Sequence, residues 1–178
     1  MSDLESISVI IAACSVIIAT FYYVNNLIKA EKMRELTLKT QDISLETRQA
    51  QLFMDIYSTC REREFVKMSN DLMYKYNWDS YEEWLEKYSP ESRTEESHSY
   101  IAINSFYEGV GVLLEQDLID IKLVYKLLHP TPKWIWEKIG PIVIERRRRR
   151  NTPQSLQWFE FLVKECEKYE KEHDDLSD

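Results

Sequence analysis

The chain has 178 residues, with 23 Lys and Arg against 31 Asp and Glu, a formal net charge of −8 at pH 7. So acidic a balance argues against general nucleic-acid binding, which needs a basic face. Cys14, Cys60 and Cys166 have no metal-ligand or redox spacing between them, and three glycines leave little material for hairpin turns; reduced thiols and an all-α fold are the expectation.

The first element is the run Ile7 to Ile28, which holds no charged residue. At 1.5 Å per residue a helix of that length spans about 33 Å, enough for a hydrocarbon core of about 30 Å. A cleaved signal peptide would start basic and run shorter, whereas Met-Ser-Asp-Leu-Glu-Ser precedes this run. A buried core helix would rarely be apolar on every face over such a length. A transmembrane helix is therefore expected. Every Lys and Arg lies after it, and Lys29, Lys32 and Arg34 follow at once. Basic flanks stay inside, so a single-pass protein of the cell membrane is expected, N-terminus outside and the rest cytoplasmic. Phe21, Tyr22 and Tyr23 suit the interfacial belt. Asn25 and Asn26 mark the helix leaving lipid, or line a pore.

Residues 29–57 read as a helix continuing from the membrane, since no Pro or Gly interrupts them. Met33, Leu36, Thr40, Ile43, Thr47, Ala50, Met54 and Tyr57 alternate at three and four residues, a heptad seam diluted by threonine. A self-associating stalk and a helix packed only within its own domain are both consistent with it. Phe65, Met68, Leu72 and Tyr76 then fall on one face of a second helix over residues 61–76, with Arg61 to Glu64 as solvated charge at its start. Asp79 and Glu82 stand at capping-box spacing before a short helix over residues 80–87. Residues 91–98 read as a polar loop. From Tyr100 to Leu114 apolar residues cover most of a helix circumference, which makes this the central helix. Gly109 and Gly111 inside it cost about 1 kcal/mol each relative to Ala; close packing of a neighbouring helix against both would offset that. Asp120 caps a helix over residues 121–128. Thr131 caps the next with Pro132 at its first position, and Pro141 should kink it beside Gly140. Asn151-Thr152-Pro153 repeats that start for a last helix to about Glu172, with Leu156, Phe159, Leu162, Val163, Cys166 and Tyr169 along one face.

The expected organisation is a short extracytoplasmic N-terminus (1–6), a transmembrane helix (7–28), a juxtamembrane stalk helix (29–57), a compact helical cytoplasmic domain (58–172) and an acidic tail (173–178). Phe106-Tyr107-Glu108-Gly109-Val110-Gly111, Leu118-Ile119-Asp120, Trp136-Glu137-Lys138 and Asn151-Thr152-Pro153 with Trp158-Phe159-Glu160 resemble a prokaryotic domain-of-unknown-function family. The resemblance covers roughly residues 45–170. It implies one N-terminal membrane helix and a small all-helical cytoplasmic domain, and it brings no activity with it.

Of candidate chemistry, the run Arg146, Arg147, Arg148, Arg149 and Arg150 is the most conspicuous. Each arginine near an anionic leaflet contributes about 1 kcal/mol, so anionic lipid headgroups are one partner; the other reading pairs the run with glutamates at a helix C-terminus. Glu108, Glu115, Asp117 and Asp120 are the carboxylates available for acid–base work, and Glu108, in apolar company, is expected to be a buried carboxylate paired with Arg or Tyr. His98, His129 and His173 are scattered, the serines lack a nucleophile-elbow context, and the five Trp read as core. No catalytic, cofactor or metal residue is assigned. The function expected is a membrane-anchored helical interaction domain, an adaptor or regulatory subunit at the cytoplasmic face that self-associates or binds another membrane protein. The alternative is a homo-oligomeric small channel or pore-forming effector.

Overall fold

The computed structural model describes residues 2–173, and among these every regular element is helical. The elements are α1 (Ser2–Arg61), α2 (Arg63–Asn70), a π-helical turn (Asp71–Lys75), α3 (Tyr81–Lys87), α4 (Glu95–Glu115), α5 (Ile121–Leu128), α6 (Thr131–Arg150) and α7 (Gln157–His173). The chain is all-α: a long apolar N-terminal helix followed by a multi-helix domain. It divides into two units, Met1–Arg48 and Gln49–Asp178. The acidic tail, from residue 174 on, lies outside the described residues.

The first unit is helix alone. Apart from Ala12, whose side chain is not described, side chains from Ile7 to Arg48 are exposed, with only Asn25 half-buried. Five of its hydroxyls turn back on their own helix: Ser15 Oγ donates to Ile11 O, and Thr20, Thr37, Thr40 and Thr47 Oγ1 to Val16, Met33, Leu36 and Ile43 O, each at 2.8 Å. A hydroxyl satisfied in this way no longer needs water.

In the second unit α4 is the central helix. Tyr100, Ile103, Asn104, Tyr107, Val110, Gly111 and Leu114 are buried at helical spacing, and α7 lies along them. Tyr107 stacks on Phe159 with ring centroids 4.9 Å apart, and Trp136 meets Phe159 edge-on at 5.2 Å. Phe65 brings α2 to Phe106 at 4.7 Å, and Trp84 brings α3 to Tyr100 at 5.4 Å. Each such aromatic removed from water contributes about 1.5–3 kcal/mol. The last turns of α1 bury Phe53 and Ile56 in this unit.

Several expectations shift by one capping decision. The helix expected over 61–76 is α2 followed by a π turn, closed where Tyr76 N–H donates to Asp71 O at 2.9 Å. The box before α3 sits one residue later than its sequence signal. Ser80 Oγ accepts from Glu83 N–H at 3.1 Å and Glu83 Oε2 accepts from Asp79 N–H at 3.0 Å. Thr94 caps α4, so the loop ends there. Asp120 Oδ1 caps α5 through Lys122 N–H at 2.7 Å. Thr131 does not cap: it is the first residue of α6, whose N-cap Pro130 offers no side-chain acceptor. That helix runs on through Pro141. Asn151 closes α6 instead of opening α7; its left-handed backbone (φ 53°) suits a C-cap, and α7 begins at Gln157. Trp134 is half-exposed, unlike buried Trp84.

Candidate functional site

Two places in the second unit gather the residues that the sequence singles out. The first is the seam between α4 and α7. Glu108 projects from α4 to the start of α7, where its Oε2 accepts the Phe159 backbone N–H at 2.8 Å. Phe159 is the third residue of α7, and Leu156 before that helix has no polar side chain to cap it. A carboxylate at a helix N-terminus meets an unsatisfied donor and the positive end of the dipole. Glu108 is thus a cap supplied from another helix. It is half-buried, and its partner is a backbone amide in place of the Arg or Tyr expected.

The same seam separates the two glycines. A Cβ on Gly111 would lie 2.0 Å from the Trp158 carbonyl oxygen, whereas one on Gly109 would meet nothing within 4 Å. Close packing requires glycine at 111 alone; at 109 the helix carries a glycine that no neighbour demands, because that side of α4 faces outward.

The second place is the C-terminal end of α6, where the arginine run fans over three elements. Arg147 Nη1 pairs with Glu160 Oε2 of α7 at 2.6 Å, and its Nε donates to Ser155 O at 2.8 Å. Arg149 Nη1 reaches Glu82 Oε1 of α3 at 2.7 Å while its guanidinium stacks 4.3 Å over the Tyr81 ring. Arg146 and Arg150 share Glu91 Oε1 at 3.2 and 2.5 Å. Arg148 and Arg149 both hold Glu145, at 2.7 and 2.6 Å. Hydrogen bonds from Arg148 and then Arg149 bring the Glu145 carboxyl down to about 2. Bonds from Lys164 and Arg147 hold Glu160 below the usual carboxylate range. The run is thus paired with Glu82, Glu91, Glu145 and Glu160, and it ties α6 to α3 and α7.

Among the described residues no group of three or more His, Cys, Asp or Glu is arranged to hold a metal. His129 Nε2 lies 3.6 Å from Glu170 Oε1, and His173 stacks on Tyr169 at 3.9 Å. Burial pushes the Cys60 and Cys166 thiols up to about 12, so both stay protonated.

These features define a class: an all-helical protein in which one long apolar N-terminal helix precedes a domain braced by arginine–carboxylate ties. Residues 7–166 match the family model of a domain of unknown function, DUF4760, and the chain belongs to that family. No curated protein and no solved structure matches it.

Proposed function

We propose that the chain is a membrane-anchored helical interaction domain, an adaptor or regulatory subunit that works at the cytoplasmic face. The observation that carries this reading is the run from Ile7 to Ile28: it is uncharged, long enough to cross a bilayer, and its large apolar side chains stand exposed. Exposed apolar surface on that scale calls for lipid or another protein around it. Ser15 and Thr20 satisfy their hydroxyls within the helix, which suits a helix in lipid and leaves little polar lining for a pore. Lys29, Lys32 and Arg34 support the orientation with the domain inside.

The stalk supports self-association or docking to another membrane protein. Met33, Leu36 and Ile43 are exposed on one seam. Thr40 and Thr47, which dilute that seam by type, have their hydroxyls bonded to Leu36 and Ile43 carbonyls and so offer methyl groups to a partner helix. Native mass spectrometry of the full-length protein from its own membranes tests the reading. A complex containing another protein at fixed ratio is expected. A mass that is an integer multiple of this chain alone, with ion flux in liposomes, would replace it with a pore. Orientation is tested by C-terminal reporter fusions: green fluorescent protein should fluoresce and alkaline phosphatase should be inactive.

A further inference from the structure

Side chains from the end of α1, from α2 and the π turn, from α4 and from the junction of α5 with α6 line an open cleft of about 240 Å³. Its charge is unusual for this chain. Arg61 lines it and no acidic residue does, although the protein as a whole carries −8. Among the described residues no carboxylate lies within ion-pair distance of the Arg61 guanidinium; its Nη1 donates to the Tyr57 hydroxyl at 2.8 Å. Two titratable groups in the lining, Cys60 and Tyr107, are kept neutral because burial raises both. The cleft thus holds a single positive charge.

Two further groups in the lining lack partners. Ser69 is 5% exposed, and its Oγ makes no hydrogen bond among the described residues. A buried hydroxyl left unmet is costly and calls for a ligand or water. Its signal in the sequence is faint: Ser69 sits four residues after Phe65, on the face of α2 otherwise occupied by Phe65 and Met68. Thr131, also in the lining, is the first residue of α6, a 20-residue helix without a side-chain cap. Pro130 and Pro132 bring no N–H, so the amides of this first turn that lack an intrahelical acceptor are those of Thr131 and Lys133, at the positive end of the helix dipole. The rest of the lining includes an apolar wall from buried Phe65, Tyr107 and Leu128.

We infer that this cleft binds a small monocarboxylate with an apolar body. Its carboxylate meets Arg61, the Ser69 hydroxyl and the start of α6, and its body lies against Phe65, Tyr107 and Leu128. The charge count sets the class, because one guanidinium neutralises one negative charge and a dianion would leave the second uncompensated near an apolar wall. The volume, that of about eight waters at roughly 30 Å³ each, sets the size at about ten non-hydrogen atoms.

The test is fluorine NMR of 4-fluorophenylacetate with the full-length protein in nanodiscs, empty nanodiscs serving as blank. Saturable binding is expected, with a dissociation constant on the order of 1 mM for a ligand this small. The neutral 4-fluorophenylacetamide should bind at least tenfold more weakly, as should the acid to Arg61→Gln, an exposed position whose change leaves the fold intact. Ser69→Ala should weaken binding about threefold. No saturable binding, equal binding of acid and amide, or undiminished binding by Arg61→Gln would overturn the proposal. Tighter binding of 4-fluorobenzylphosphonate than of the carboxylate would overturn the assignment to monocarboxylates.

Discussion

Glu108 on α4 accepts the backbone N–H of Phe159 at 2.8 Å, 51 residues further along the chain. One carboxylate thereby fixes where α7 begins and how it meets the central helix. Replacing it by Ala should cost about 1–2 kcal/mol, the usual worth of an N-cap. Glu108→Gln keeps an acceptor and loses the charge–dipole attraction, so it should cost about half as much. Urea denaturation measures both. Amide hydrogen exchange at Phe159 should speed up in the Ala variant, ahead of exchange in the middle of α4.

The glycines should separate in opposite directions. Gly111→Ala drives a Cβ to 2.0 Å from the Trp158 carbonyl, and backbone cannot yield as a side-chain tip can. A loss of about 2–3 kcal/mol is expected. Gly109→Ala meets open space within a helix and should gain about 1 kcal/mol. Thermal melts of the two variants side by side give the signs.

Acid should loosen the ties at the end of α6. In the folded protein Glu145 titrates near 2, through Arg148 and then Arg149, and Glu160 below 4.5, through Lys164 and Arg147. The unfolded chain therefore binds more protons than the folded one once the pH drops below about 4.5. The stabilisation is complete above that pH and fades toward pH 2. Arg147→Gln should lower neutral-pH stability by about 1.5–3 kcal/mol, since it removes charge-assisted bonds to Glu160 and Ser155, and should flatten this acid limb. Melting temperature recorded from pH 7 down to pH 2 checks both.

A charge in the middle of the apolar helix should expel it from lipid. Ile17→Arg is expected to cost about 2.5–3.5 kcal/mol of insertion. The native chain should stay in the membrane pellet after carbonate extraction, and the variant should appear in the soluble fraction. A native chain that is itself released by carbonate would remove the anchor from the proposed function.

What the sequence determined by itself is local and periodic. The uncharged run from Ile7, the 3.6-residue spacing that buries Tyr100, Ile103, Tyr107 and Leu114, and the Asp120 cap are each legible within one or two helical turns, where backbone geometry fixes which residues are neighbours. The tertiary structure decided what depends on partners far along the chain. Nothing near Glu108 announces Phe159, and nothing distinguishes Gly109 from Gly111 until Trp158 arrives against one of them. Five identical arginines separate into distinct roles only once Glu82, Glu91 and Glu160 are brought to them. The same holds at the cleft, where Arg61 reads in sequence as one more solvated charge among Glu62, Arg63 and Glu64. Folding places it beside an unpartnered Ser69 and the open end of α6, because packing, and not spacing, sets which charges lie near a carboxylate and which do not.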